Sequence, residues 1–345
     1  MAPNATRFIM VDDTDSGIQY TGPWFSLNPG AEDNLGDAGA PFLSTLHGVN
    51  SSGSLSYTFN GSQVQIYGSG RPETQANDTS WYCGIDGVPV GRWTQSTTYP
   101  GNNILLCNTN LFDGEHTITL YVGASDTSIL FDRINYAPSA NVPLDNTYIQ
   151  VDASDPAISY SSGWQPLMDI ATATQQPSAG LNFTFIGTSL SWYSRIVTNF
   201  SINPSFGTYK IDGQLETKLI FPLDGLPHAS EGNVYNQLFF TTPQLSPGQH
   251  TIEVDNGIGS SSNTTPLSLE YLIVHNGAMN SKARIAGGQI AGGVVGGIVG
   301  VIIILSIILL LLRKRRNANT RLNPEPSSER PTSDGRSNIA DNLSD

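Results

Sequence analysis

The side chains that could do chemistry in this chain are scattered along it and show no spacing typical of an active site. Its histidines are few and far apart: His47, His116, His228, His250 and His275. His116 and His250 share one context, following a Gly-x pair and preceding Thr-Ile, which favours a structural role at the start of a strand. No nucleophile has a base at a recognisable spacing, and no glycine-rich phosphate loop opens a helix. We therefore predict no catalytic residue and no enzymatic activity.

Two pairs of aspartates are the candidate metal ligands. Asp12 with Asp15 and Asp152 with Asp155 occur in matching contexts, and such hard oxygen donors could bind Ca²⁺. The alternative is that each Asp caps a turn after a strand by accepting a backbone N–H bond. We favour the turn caps, and predict neither a resident metal nor another cofactor.

Aromatic side chains are the candidates for sugar binding, because aromatic faces stack on sugar C–H groups while nearby polar groups bind the hydroxyls. Trp24 and Trp164 recur at one repeat position, and Trp192 falls on an inward-facing alternation, so we expect these three in a core. The remaining candidates lie together in the first half of the chain. They are Trp81, Tyr82, Arg92 and Trp93.

The chain carries two cysteines, Cys83 and Cys107, separated by 24 residues. In an oxidising compartment an isolated pair predicts one disulfide, which loop closure would make worth about 3 kcal/mol. Two buried free thiols are the alternative. Neither the spacing nor the neighbouring residues suggest a metal site.

Acceptors for N-glycosylation give a separate indication of a secretory route. Seven Asn-x-Ser/Thr sites precede Arg284. They are Asn4, Asn50, Asn60, Asn77, Asn182, Asn199 and Asn263.

An apolar segment near the C-terminus has the length of a transmembrane helix. Between Arg284 and Arg313 no residue is charged, and residues 294–312 are apolar except for Gly and one Ser. As a helix, 19 residues span roughly 28 Å, close to the thickness of a bilayer core. A buried core helix is the alternative. We predict a transmembrane helix at 290–312 in contact with the lipid bilayer, preceded by a juxtamembrane segment at 277–289.

Charge is distributed unevenly around this segment. Residues 1–284 contain 9 Lys/Arg and 24 Asp/Glu, whereas residues 313–345 contain 7 and 5. The positive-inside rule therefore places the N-terminus outside the cell and a polar, disordered tail at 313–345 in the cytoplasm. The net charge of −13 argues against a nucleic-acid partner. No signal peptide is visible at the N-terminus, so we expect a start site that lacks its leader.

Glycines recur every fourth residue within this segment. Gly292, Gly296 and Gly300 would form one flat face of a helix, along which two helices can approach closely. This pattern predicts a homodimer through the membrane helix, although glycine is also common in membrane helices without such a role.

The strongest pattern is an internal repeat. A block from Val11 to Trp24 returns 140 residues later, from Val151 to Trp164, with its Asp, Ile, Tyr and Trp positions kept. Blocks around Phe59, Ile85 and Leu111 return in the same order near Phe185, Ile211 and Leu245. We infer a duplicated domain.

Each block reads as alternating strands separated by turn residues, as in a β-sandwich. Asn60-Gly61, for example, predicts a tight turn between two strands. We predict an all-β region of two tandem jelly-roll β-sandwiches, module one at 7–137 and module two at 148–276, joined by a linker at 138–147.

The order of these motifs resembles the galactose-binding-domain-like jelly rolls, which occur in carbohydrate-binding modules and in ectodomains of fungal surface proteins. With the apolar helix and Arg313-Lys314-Arg315-Arg316, the architecture resembles a basidiomycete single-pass membrane protein. This resemblance implies a plasma-membrane protein whose modules bind glycan or another cell-wall component without catalysis. An adhesion or signalling ectodomain with a protein partner is the alternative. A membrane-tethered hydrolase would require a reactive constellation that the sequence does not display.

Overall fold

The structure is a computed structural model of the chain. It describes residues 6–70, 80–94, 101–123, 129–168, 170–198, 200–201, 203–214, 219–223, 232–257 and 263–277. Within these ranges no helix is long and apolar enough to cross a membrane. The predicted helix at 290–312, its glycine face and the tail lie outside the described residues.

The described residues form β-strands and one short 3₁₀ turn at Phe42–Ser44. The first repeat gives β1 (Phe8–Asp12), β2 (Gln19–Thr21), β3 (Phe25–Ser26), β4 (His47–Val49), β5 (Gly53–Gly70), β6 (Ser80–Ile85), β7 (Val88–Thr94), β8 (Gly101–Val122) and β9 (Ile129–Pro138). The second gives β10 (Tyr148–Asp152), β11 (Ile158–Tyr160), β12 (Gln165–Leu167), β13 (Ala171–Thr174), β14 (Gly180–Gly187), β15 (Ser189–Ile196), β16 (Ser205–Ile211), β17 (Leu219–Leu223), β18 (Val234–Thr241), β19 (Gly248–Asn256), β20 (Leu267–Leu269) and β21 (Tyr271–His275).

The strands pair into three sheets, and one of them runs through both modules. The longest path of that sheet is β18-β15-β21-β10-β1-β9-β5-β8-β6-β7, with β2, β3 and β4 attached beside it. The smaller sheets are β11-β14-β19-β16-β17 and β12-β13-β20. The prediction of an all-β, sandwich-like fold is confirmed, and the module boundaries stay predictions.

The two repeats build two separate hydrophobic cores. Alternating residues of β1, β5 and β9 fill the first, including Val64, Ile66 and Ile134, all of them fully buried. The corresponding strands fill the second, including Leu190 and the fully buried Trp192. The core position predicted for Trp192 is confirmed.

The modules meet where β1 pairs with β10, antiparallel. Ile9 lies directly opposite Ile149, its counterpart in the repeat. The pairing is therefore symmetric, and it joins the two halves through backbone hydrogen bonds. Because directly opposed side chains share one face of a sheet, both cores lie on the same side of this sheet.

The prediction of a tight turn at Asn60-Gly61 is wrong, because β5 runs through both residues. They pair with Glu115 and Gly114 of β8, and the register slips between Gly61 and Gln63. A Cβ on Gly61 would lie 2.2 Å from the carbonyl oxygen of Ala137. The glycine therefore permits a close approach of two backbones within a bent strand.

The predicted disulfide between Cys83 and Cys107 is confirmed. It links β6 to β8, with the two Cα atoms 6.3 Å apart. Both residues are buried in the first core.

Candidate functional site

A polar groove of about 370 Å³ crosses the junction between the modules. Its floor lies on the face of the large sheet opposite the two cores. Gln65 and Tyr67 alternate along β5 with core residues, as do Gln150 and Asp152 along β10. Tyr271 of β21 completes the floor. Because both modules supply residues, neither module could form this groove alone.

Arg133 is the buried cation of the groove. Its Nη1 donates to a carboxylate oxygen of Asp132 and, at 2.5 Å, to Oδ1 of Asn103. The guanidinium lies over the ring of Tyr67, 4.2 Å from the ring centroid. Its Nε, although buried, has no hydrogen-bond acceptor among the described residues.

Asp132, beneath Arg133, is fully buried. Burial raises the pKa of its carboxyl to about 7, although Arg133 and the backbone N–H of Phe42 both favour the charged form. The carboxylate holds Arg133 in place, and it is not itself exposed to a ligand.

Two further carboxylates line the groove from module two. Burial raises the pKa of Asp152, while a hydrogen bond from Gln150 Nε2 opposes the shift. Glu270 accepts a bond of 2.6 Å from Nη2 of Arg195. With the side-chain amides of Gln65 and Asn236, the groove offers both donors and acceptors, the combination that sugar hydroxyls require.

The predicted ligand-binding residues do not form one exposed site in the structure. Trp81 is only 3 % exposed in the first core, and its indole N–H donates to the carbonyl of Leu106, so no ring face is free for a sugar. Tyr82 is exposed and stacks on Tyr121 with 4.5 Å between centroids. Trp93 and Arg92 lie on β7, opposite Trp81 and Tyr82, and their side chains are outside the description.

Three of the four candidate aspartates, Asp12, Asp15 and Asp155, accept backbone N–H bonds as turn caps, whereas Asp152 accepts from the side chain of Gln150. Asp15 Oδ1 accepts from the N–H of Gly17 at 2.7 Å, and Asp155 Oδ1 from the N–H of Ala157 at 2.8 Å. Asp155 also pairs with Arg7. Within the described part of the chain, no group of three or more His, Cys, Asp or Glu is arranged to hold a metal ion.

Among the predicted glycosylation sites, the described ones are exposed. These are Asn50, Asn60, Asn182 and Asn263. Asn4, Asn77 and Asn199 lie outside the described residues, and glycosylation stays a prediction at all seven.

Sequence reasoning missed the groove because its residues come from strands far apart in the chain. Arg133 and Tyr271 are separated by more than a hundred positions, and no local spacing connects them. One signal was present. The repeat aligns Leu130-Phe131-Asp132 with Ser268-Leu269-Glu270, so the acidic positions of the two strands correspond.

Comparison with known proteins gives two curated relatives, both from Flavonifractor plautii, and no matching family model. One is named an A type blood alpha-D-galactosamine galactosaminidase, 24 % identical over 251 residues that make up 71 % of this chain and 21 % of that protein. The other is named an A type blood N-acetyl-alpha-D-galactosamine deacetylase, 28 % identical over 143 residues, or 38 % of this chain and 16 % of that protein. The chain thus matches about a fifth of each relative's length.

Solved structures with partial likeness include two proteins. A two-domain esterase active on acetylated mannans overlaps 41 % of each chain, with a TM-score of 0.30 and 15 % identity. A tandem of CBM22 domains from Paenibacillus barcinonensis covers 81 % of this chain and all of its own, with a TM-score of 0.27 and 9 % identity. At these scores the overlaps carry no argument about function.

The curated relatives correct one prediction and support another. The prediction that the chain is not an enzyme is wrong, since the relatives are named as a galactosaminidase and a deacetylase. The broader part of the functional prediction, a glycan-related role, is supported by the same names.

Proposed function

We propose that the described region binds glycan in the groove between its two modules, as a recognition region of a carbohydrate-active protein. The observation that carries this proposal is the set formed by Arg133, Tyr67 and the flanking amides. A sugar has apolar C–H faces and polar edges. It therefore suits a site in which an aromatic ring in contact with a cation is surrounded by side chains that donate and accept hydrogen bonds. The names of the curated relatives support the same class of ligand.

The acidic side chains suggest which glycan to test first. Asp152 and Glu270 add carboxylate acceptors beside the neutral amides, which favours a sugar that carries an amino group. Galactosamine occurs in the name of one relative, so an oligosaccharide ending in α-linked galactosamine is the first probe. Display of the modules at the cell surface through the predicted helix at 290–312 is part of the proposal.

The test is calorimetric titration of this oligosaccharide into the full chain and into two groove variants. Loss of one hydrogen bond is worth about 1 kcal/mol, so we expect Gln65→Ala to raise the Kd about fivefold. Tyr67→Ala should raise the Kd more, because it removes a large part of the groove floor and the support of Arg133.

Gln63→Ala is the matched control. Gln63 lies two residues from Gln65 on the same strand face, but outside the groove, where it donates to Asn108. Equal affinities of the wild type and both groove variants would contradict the proposal, whereas weakening in Gln65→Ala but not in Gln63→Ala supports it.

A further inference from the structure

A chain of hydrogen bonds in module one joins three residues outside the groove. Ser26 Oγ lies 2.9 Å from Nε2 of His47, and Nδ1 of His47 lies 2.6 Å from Oδ2 of Asp13. The Asp13 side chain is completely buried, the His47 ring is 18 % exposed, and Ser26 is exposed. Burial therefore increases from Ser26 through His47 to Asp13. In a catalytic triad the same order runs from the nucleophile through the base to the group that orients the base.

Strand pairing sets this arrangement. Ser26 of β3 and His47 of β4 are directly opposed in an antiparallel pair, so their side chains share one face. Asp13 follows β1, where its N–H donates to the carbonyl of Asp132 at 2.9 Å. Two of the three residues thus lie on paired strands, and Asp13 lies in the turn that directly follows β1.

Other contacts fix the orientation of the ring and of the acid. Tyr20 stacks on His47 with 4.7 Å between ring centroids, and its hydroxyl donates to the carbonyl of Asp13 at 2.7 Å. Thr45 Oγ1 donates to the second carboxylate oxygen of Asp13 at 2.6 Å. Burial raises the pKa of Asp13, and the bonds from Thr45 and His47 oppose that shift by favouring the charged form.

The proton positions follow from these contacts. An ionised Asp13 can only accept, so Nδ1 of His47 carries the proton of that bond. In the neutral ring Nε2 is then an acceptor, and it faces the hydroxyl of Ser26. This is the tautomer that a general base for a serine hydroxyl requires.

Module two shows that the fold does not need these residues. Ala153 corresponds to Asp13. The backbone N–H of each donates to the carbonyl of an acidic residue, Glu270 or Asp132, and the carbonyl of each accepts from a tyrosine hydroxyl. Register places Pro166 opposite Thr172, where module one has Ser26 opposite His47. The second module thus builds the same strands with Ala, Pro and Thr at these three positions. The strand arrangement that the two modules share therefore does not require the three polar residues.

We propose that Ser26, His47 and Asp13 hydrolyse carboxylic esters, with Ser26 as nucleophile, His47 as general base and Asp13 as a positioning residue. An ester of a sugar hydroxyl is the substrate class we assign, and this choice of alcohol rests on the proposed glycan binding. We choose esters rather than amides because an alkoxide leaves a tetrahedral intermediate more readily than an unprotonated amide nitrogen.

The reaction balances without a further reagent. Ser26 Oγ attacks the ester carbonyl carbon while Nε2 of His47 takes the hydroxyl proton. The bond from that carbon to the alcohol oxygen breaks, and His47 returns the proton to the departing alcohol. Water then attacks the carbonyl carbon of the acyl-Ser26 ester and gives a proton to His47. The bond from that carbon to Ser26 Oγ breaks, and His47 passes the proton to Oγ. The products are an alcohol and a carboxylic acid.

The test combines a rate with a covalent label on the full chain. We expect wild type to hydrolyse p-nitrophenyl acetate and to attach a fluorophosphonate probe at Ser26, located by mass spectrometry. Ser26→Ala should abolish the label and lower the rate at least about a hundredfold. His47→Gln should do the same, and Asp13→Asn should lower the rate while leaving some labelling.

Ser191→Ala is the matched control, since Ser191 is a strand serine bonded to another hydroxyl, that of Thr241. It should keep both label and rate. Failure of Ser26→Ala to slow hydrolysis, or attachment of the probe elsewhere, would overturn the assignment. Oligosaccharide binding measured on Ser26→Ala separates the two proposals: intact binding with lost hydrolysis supports both, whereas lost binding with intact hydrolysis overturns the role of Ser26.

Discussion

Three histidines in the described part of the chain pair with an aspartate through Nδ1. The group that faces the other ring nitrogen, Nε2, determines what each pair can do. In His116, Nδ1 faces Asp86 at 2.8 Å and Nε2 faces the carbonyl of Phe112 at 2.9 Å. His250 has the same pattern with Asp212 and the carbonyl of Ser246. Neither nitrogen of these two rings faces a hydroxyl that it could deprotonate, so both histidines act as structural links. In His47 alone among the three, Nε2 faces a hydroxyl that can give up its proton.

The pair of His116 with Asp86 predicts a pH dependence of stability. The hydrogen bond to Asp86, followed by the one to Phe112, raises the pKa of His116 above its ordinary value. A raised folded-state pKa stabilises the fold fully below the unfolded value of 6.5, and this stabilisation is lost as the pH rises through the folded value. We therefore expect the difference in unfolding free energy between wild type and His116→Gln to be larger at acid pH than at alkaline pH.

Urea unfolding of both proteins at about pH 5.5 and pH 8.5, one pH on either side of the ordinary histidine pKa, measures this difference. A difference that does not change between the two values would show that the ring acts only as a neutral hydrogen-bond partner.

At the scale of strands, the sequence pattern predicted which residues form strands and the order of those strands, but it did not predict where one strand continues without a turn. Alternation placed core residues such as Val64 and Ile66 on one face, and the repeat gave two sets of corresponding strands. The bend at Gly61 was mistaken for a turn because Asn-Gly favours both a tight turn and an irregularity in a strand. What separates them is the neighbouring strand β9, whose carbonyl at Ala137 is distant in sequence. The groove and the Ser26 cluster were missed for the same reason, since pairing across strands assembles them.

Two opposed glycines allow the bent strand to be tested. Gly61 and Gly114 face each other in the β5–β8 ladder. A Cβ on Gly61 would meet the Ala137 carbonyl oxygen, whereas one on Gly114 would have only the His116 ring, at 3.9 Å. We expect Gly61→Ala to lower the free energy of unfolding by about 2 kcal/mol, the typical cost of forcing atoms into a packed site.

Gly114→Ala is the control for Gly61→Ala, and it should change the free energy of unfolding by less than about 0.5 kcal/mol, as surface substitutions usually do. Denaturant midpoints at equal slope give both values. Equal effects of the two substitutions would show that the close approach to Ala137 does not constrain the strand.

For the molecule as a whole, the shared sheet implies that the two modules unfold together. The β1–β10 ladder joins their backbones, and Arg7 of module one reaches Asp155 of module two through two hydrogen bonds of 2.7 and 3.0 Å. Burial alone would raise the pKa of Asp155, but the bonds from Arg7 and from the Ala157 N–H together lower it. The groove depends on this junction, because its floor is drawn from both sides of it.

Calorimetry should therefore show one transition for the described region, with equal calorimetric and van't Hoff enthalpies.

Arg7→Gln removes a charge-assisted pair and leaves the Asp155 carboxylate buried with fewer donors, which should lower the free energy of unfolding by about 1 to 2 kcal/mol. Lys210→Gln is the matched control, because the pair of Lys210 with Glu253 is partly exposed and lies within module two. Such surface pairs contribute little to stability, so the unfolding midpoint of Lys210→Gln should move less. If the modules were independent, Arg7→Gln would split or broaden only part of the transition, and the two enthalpies measured for wild type would disagree. A single transition that Arg7→Gln moves as a whole means that ligand binding at the junction stabilises both modules at once.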